Sequence, residues 1–289
     1  MNISFIVPCY NCAATLKAAV DSIFHDNFHE GDEVIIIDDS YTDATPDVIE
    51  QLKTKYSSIV SARHNINKGS AAASRNTAID LSGNELLFCL DADNLLMPGT
   101  VGPLKQFLSV NNLDAAAFGE ILYFKKTTAE VSDTWFMQSS ISFIDALNHP
   151  QKAPCGSGNY LLKKSAWKKA GRYNESLGGA LDSEIFGLCL LATGARFHTL
   201  QGYGYYHRHG YDSTYIRDIK KSNESLTLAA GIISHLHLIE PACVDYMLGS
   251  GRTNWRLNTA SRPIKSAVGD SNGLKIKLKR RIFGLLERL

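Results

Sequence analysis

Four short apolar runs, Ile3–Val7, Val34–Ile37, Ile59–Val60 and Leu86–Leu90, alternate with segments whose apolar residues recur at helical spacing. Leu16, Ala19, Val20, Ile23 and Phe24 make one such face, and Val48, Ile49 and Leu52 make the next. Gly69 through Ile79 is alanine-rich and helical in character, and Thr45-Pro46 reads as an N-cap followed by proline at the first helical position. This alternation over the first ninety residues predicts βαβ units and a mostly parallel sheet covered by helices on both faces.

In open sheets of that kind, ligands bind beyond the carboxyl ends of the strands. The polar residues of this chain gather there: Pro8 to Asn11, Asp38 to Ser40, Asn65 to Gly69 and Asp91 to Asn94. Four loops should therefore converge on one crevice. The last of them, Asp91-Ala92-Asp93, sets two carboxylates one residue apart directly after a buried strand. Such hard oxygen ligands suit a divalent cation, and Mg²⁺ in particular shares its ligands with substrate phosphates. Taken alone, Asp-x-Asp is also an ordinary polar turn, since Asp favours turns; the convergence of the other loops raises it above that.

The chain is long enough, at 289 residues, for one large domain and an appendage. With 44% hydrophobic and 20% charged residues it has the balance of a globular protein with a sizeable core. A formal net charge of +1 gives no global attraction to nucleic acid. The amino terminus carries no basic, apolar leader pattern, and no stretch approaches the roughly 18 apolar residues of a membrane span. The cysteines are scattered. Cys9 and Cys12 form a C-x-x-C without the second pair a zinc site wants, so neither metal nor redox chemistry is expected of them, and the reducing cytoplasm is the default compartment.

Taken in order, the segments resemble family 2 glycosyltransferases with the GT-A fold. Phe5-Ile6-Val7-Pro8-Cys9-Tyr10-Asn11 is similar to the family's opening strand and loop, and Ile36 to Thr45 to its "DDGSTDGT" segment. Asn65 to Gly69 with Ala73-Ser74-Arg75-Asn76 resembles its "N-x-G…AxRN" segment, and Leu90 to Asn94 its metal-binding element. Tyr41 stands where the family usually has a small residue, and Ala44 replaces a common glycine. The resemblance implies a nucleotide-binding set of Pro8, Tyr10, Asn11, Asp39, Lys68, Arg75, Asp91 and Ala92. Tyr10 would lie against the base and Asp39 would accept a hydrogen bond from its edge. Lys68 and Arg75 would be cations near the phosphates, a setting in which Arg matches phosphate geometry well. Asp93 and Asp91 would hold Mn²⁺ or Mg²⁺.

The family carries its general base in an acidic pair at a helix start, and Asp182-Ser183-Glu184 is the candidate here. Counting back from Gly194 places Ser183 at the base position; Asp182 is the first choice and Glu184 the second. Helix capping alone would also explain Asp182. His207 and His209 alternate on a strand-like segment and so share a face; the resemblance favours His209 as a further metal or diphosphate contact.

These expectations amount to an inverting, metal-dependent transfer of a sugar from a nucleotide-diphosphate donor, a UDP-sugar first, to a hydroxyl of a saccharide or lipid-linked saccharide. The alternative is a non-catalytic sugar-nucleotide binder or scaffold of the same fold. A sugar-phosphate nucleotidyltransferase would want a glycine-rich loop after the first strand, where this chain has Pro8-Cys9-Tyr10-Asn11. A GT-A domain is expected over residues 1–215, its nucleotide-binding half about 1–100 and its acceptor half about 101–215. A helical extension is expected over 216–289. In the tail 274–289, Leu278, Ile282, Leu285 and Leu289 share one helical face among Lys275, Lys277, Lys279, Arg280 and Arg281. Such a helix suits an anionic membrane surface or a docking place on protein. The first would make a cytoplasmic enzyme peripheral to the inner face of the membrane.

Overall fold

The computed structural model describes residues 1–148, 152–176, 181–210 and 224–239. The basic tail 274–289 and the loop 211–213 lie outside the described residues. The chain forms β1 (Ile3–Cys9), α1 (Leu16–Phe24), β2 (Glu33–Asp38), α2 (Thr45–Lys55), β3 (Ile59–Arg63), α3 (Ala71–Leu81) and β4 (Leu86–Cys89). There follow β5 (Leu95–Leu96), α4 (Val101–Val110), β6 (Ala115–Phe124), β7 (Val131–Phe136) and α5 (Phe143–Asn148). A 3-10 turn at Pro154–Gly156 leads to β8 (Leu161–Lys163), α6 (Lys164–Lys169), α7 (Asp182–Ala192), β9 (Phe197–Arg208) and α8 (Glu224–Gly231).

The strands join in one sheet, ordered β3-β2-β1-β4-β8-β6-β9-β5, with β7 paired to β6. From β3 to β4 every pairing is parallel, as the alternation of runs requires. Beyond β4 the sheet is mixed: β8 is antiparallel to both β4 and β6, β7 returns on β6 as a hairpin, and β9 runs parallel to β6. The sheet is thus parallel in the half that the βαβ pattern covers. In the second half β7 follows β6 without the crossover helix that a parallel neighbour needs.

Alternate residues of the central strands feed two cores, because successive side chains of a strand point to opposite faces. Ile6, Ile35, Ile37 and Leu87 pack with Ala72 and Ile79 of α3 and with Ile185 and Leu188 of α7. Phe5, Val7, Val34, Ile36 and Phe88 pack on the other side with Leu16 and Val20 of α1, Ile49 of α2 and Leu104 of α4. Burial on both faces is why these strands are continuously apolar. Leu228 and Ile232, at the start of the expected extension, belong to the first of these cores.

Two local details differ from expectation. The helix at Thr45-Pro46 begins at Thr45, whose hydroxyl instead accepts the Cys12 N–H at 2.9 Å. Cys9 and Cys12 are joined by a disulfide, a pairing the sequence reading did not foresee. The Thr15 and Leu16 N–H groups both donate to the Cys12 carbonyl, turning the chain tightly from Cys12 into α1.

α7 approaches the 3-10 turn so closely that only glycine fits between them. A Cβ on Gly187 would lie 2.4 Å from the Cys155 Cβ and 2.9 Å from its carbonyl oxygen. Gly187→Ala should therefore cost a net ~1–2 kcal/mol in a urea melt, overpacking outweighing the ~1 kcal/mol gain in helix propensity. An unchanged or raised midpoint would show that α7 can shift freely.

Candidate active site

The carboxyl ends of β1, β2 and β4 open onto one crevice. At the end of β1, Pro8 is buried and Tyr10 is 47% exposed. Asn11, at φ +50°, exchanges two hydrogen bonds with Thr42: its amide donates to the Thr42 hydroxyl at 2.8 Å and its carbonyl accepts the Thr42 N–H at 2.7 Å. This ties the first loop to the second. Tyr41, the departure noted in the sequence, lies under the Arg63 guanidinium at 4.0 Å.

Asp39 is the most firmly held residue of the second loop. Its N–H donates to the Cys9 carbonyl and its own carbonyl accepts the Asn67 amide at 2.9 Å. Its carboxylate accepts His64 Nδ1–H at 2.7 Å and the Lys68 backbone N–H at 2.9 and 3.1 Å. The Lys68 side chain is left at the surface.

Arg75 lies on α3 and is 3% exposed. Its Nη2 donates to Asp91 Oδ1 at 2.7 Å and its Nη1 to Asp182 Oδ2 at 2.8 Å. One guanidinium thus joins the end of β4 to the start of α7. Asp182 also takes the Ser183 N–H at 2.7 Å. Burial lifts its carboxyl above the ordinary range, against the pull of the Arg75 charge. α7 is regular from Asp182 to Ala192, so Ser183 keeps its place one residue on, and Leu181 rather than Asp182 occupies the N-cap. Glu184 is buried in the same turn.

Asp91 and Asp93 have different surroundings. The Asp91 N–H donates to Asn159 Oδ1 at 2.8 Å, and Asn159 Nδ2 donates back to Asp91 Oδ2 at 2.9 Å. Ala92 is buried between the two carboxylates, and Asp93 reaches the surface of the crevice. The recess around Asp93 thins its hydration, Asp91 repels it, and its carboxyl is pushed up to about 6. Among the described residues no three His, Cys, Asp or Glu side chains form a cage for a cation. Two hard carboxylates that repel each other are the donor type a divalent cation takes, and a cation there would relieve the repulsion.

Of the two histidines, His207 is the one drawn toward these carboxylates. Its Nδ1 accepts from Asn94 Nδ2 at 3.3 Å, and Asn94 also reaches Asp91 Oδ2 at 3.4 Å. Burial holds the His207 imidazole below its ordinary value, against the pull of the Asp91 charge. His209 lies edge-on to Tyr123 at 6.2 Å, and its N–H donates to the Phe124 carbonyl. Between them, Arg208 donates to the Asp93 backbone carbonyl at 3.1 Å. Sequence reasoning missed His64 and Asn159 as parts of this network, and named Asn94 only as the end of the Asp91 to Asn94 loop. For Asn159, the glycine-rich loop Pro154 to Asn159 before an apolar run was the available signal.

A model of the family described as "Glycosyl transferase family 2" matches residues 4–169. The succinoglycan biosynthesis protein ExoU of Rhizobium meliloti is 30% identical over 216 residues, covering 71% of this chain and 61% of its own length. A poly(ribitol-phosphate) beta-glucosyltransferase of Bacillus spizizenii is 32% identical over 97 residues, 33% of this chain and 15% of that one. An Escherichia coli protein named UDP-Glc:alpha-D-GlcNAc-diphosphoundecaprenol beta-1,3-glucosyltransferase is 37% identical over 92 residues, 32% of this chain and 35% of its own. The chain therefore spans less than two thirds of each of these relatives. The structure of Staphylococcus aureus TarS 1-349 in complex with UDP-GlcNAc superposes with a TM-score of 0.67 at 19% identity, covering 93% of this chain and 76% of that one. The mixed α/β sheet thus has the GT-A fold.

Proposed function

The chain belongs to glycosyl transferase family 2, and on that premise we propose that it moves a sugar from a UDP-type donor to a hydroxyl of a saccharide acceptor, with inversion at the anomeric carbon. The observation that carries this reading is the Arg75 bridge. It sets the diphosphate-side carboxylate Asp91 and the base candidate Asp182 on either side of one guanidinium. In the proposed reaction Tyr10 lies against the nucleobase and Asp39 accepts from its edge. Pro8 and Asn11 shape that wall, and the exposed Lys68 meets the phosphates. Arg75 aligns the two carboxylates and keeps positive charge beside the leaving group.

Asp182 takes the proton of the acceptor hydroxyl as its oxygen attacks, and Glu184 is the second candidate for that step. Mn²⁺ or Mg²⁺ on Asp93 and Asp91 would neutralise the charge developing on the departing nucleoside diphosphate. His207 would orient Asn94 beneath them, and His209 would lie further out. The names of the relatives support a cell-surface polysaccharide as the acceptor class, lipid-linked in one case. Among the described residues no helix is long and apolar enough to cross a membrane.

One observation favours the alternative of a non-catalytic sugar-nucleotide binder: the Asp182 carboxylate is committed to Arg75 and to the Ser183 N–H. Turnover separates the two readings. With a panel of UDP-sugars, saccharide acceptors and Mn²⁺, the enzyme should release UDP, and Asp93→Ala or EDTA should slow this roughly a hundredfold or more. Undiminished turnover in EDTA would remove the metal from the account. A donor that binds without any turnover would favour the binder.

A further inference from the structure

His64 is a half-buried residue with a side-chain exposure of 12%, placed at the end of β3 between the second loop and α3. Its N–H donates to the Asp38 carbonyl, which fixes its backbone. Its ring is fixed at both nitrogens: Nδ1 meets Asp39 Oδ1 at 2.7 Å and Nε2 meets the Thr77 hydroxyl at 2.9 Å. A carboxylate only accepts, so Nδ1 carries the proton. In the neutral ring Nε2 then accepts, and the Thr77 hydroxyl donates to it. The result is a directed line of hydrogen bonds, Thr77 to His64 to Asp39, ending at Oδ1. The Lys68 N–H caps both oxygens. Among the described residues, Oδ2 takes the longer, 3.1 Å branch of that contact, and its second lone pair can accept a further donor.

We infer that His64, oriented by Thr77, is a positioning residue that fixes the Asp39 carboxylate as an acceptor toward the nucleobase and thereby selects a base presenting a ring N–H. Uracil offers such a donor at N3, whereas cytosine presents a lone pair there and would meet Asp39 acceptor to acceptor. Leaving one buried partner unpaired is more costly than removing both, so the effect should fall on the base that uses Asp39. The inference rests on the donor reading proposed above, in which Asp39 meets the base edge.

Calorimetric titration with UDP and with CDP, at constant Mn²⁺, tests it on wild type, His64→Leu, His64→Asn and Thr77→Val. Wild type should favour UDP over CDP. His64→Leu should weaken UDP about tenfold or more, leave CDP within about twofold, and so collapse the preference. His64→Asn, whose amide can donate from near the Nδ1 position, should restore most of it. Thr77→Val should give a smaller loss of the same kind, and serves if His64→Leu does not fold. In turnover the donor KM should rise while kcat stays close to wild type. Equal weakening of UDP and CDP, or no rescue by Asn, would reduce His64 to a structural residue and overturn the inference. Wild type that fails to bind UDP, or binds CDP as well, would instead overturn the donor reading and the inference with it.

Discussion

Asp182→Asn should lower sugar transfer by roughly two to four orders of magnitude while leaving UDP affinity close to wild type. The substitution preserves shape, and the amide oxygen can still accept from Arg75 Nη1, which now lies 2.8 Å from Asp182 Oδ2. What is lost is the ability to take a proton at that position. The buried carboxyl is lifted above its ordinary range by desolvation, which favours proton uptake, while Arg75 limits the rise. The comparison variant is Glu184→Gln, two residues along α7 and also buried. Loss of transfer in Glu184→Gln, with Asp182→Asn within tenfold of wild type, would move the base two residues along α7.

Arg75→Met should cost about 3–5 kcal/mol of stability at pH 7, the range for stranding buried charge by removing its partner. Two carboxylates depend on this guanidinium, with Asp182 93% and Asp91 74% buried at the side chain. The pH dependence gives a second signature. Without Arg75, desolvation would raise the folded-state Asp182 above its unfolded value, so the folded state would bind the extra proton as pH falls. The deficit should therefore shrink as pH drops through the acidic range and be largest at neutral pH. Urea melts across pH check both points. A loss under about 1 kcal/mol, or a deficit that widens toward acid, would show that water or other groups already neutralise the pair.

Most of the parallel half of the sheet was legible because β1, β2 and β4 are buried on both faces and end in polar residues, whereas the edge strand β3 is largely exposed. Ile3–Val7, Val34–Ile37 and Leu86–Leu90 carry that pattern without ambiguity. The second half was not legible in the same way. β7 is exposed along its length and pairs only with β6, so its sequence shows no buried alternation. Ala115–Phe118 and Ile121–Phe124 form one strand, with a register shift against β9 between Phe118 and Glu120.

In the site, Asp39, Asp91 and Asp93 stood out because they follow strands. Asn159 and His64 did not, since a single Asn or His has no local signature and its partner is fixed by the tertiary fold. Asn159 lies 68 residues from Asp91, and His64 lies 25 from Asp39. The same limit applies to the choice between His207 and His209. Spacing puts both on one face, but only packing against Asn94 shows which one turns to the carboxylates.

The central claim is that Asp182 and the Arg75-linked carboxylates form an inverting transfer site. Proton NMR of the product formed from an α-configured UDP-hexose, Mn²⁺ and a saccharide acceptor tests it most directly. The account predicts a β-linked product, absent in Asp182→Asn. An α-linked product, or free hexose with no glycoside formed on any acceptor despite saturating donor, would contradict it.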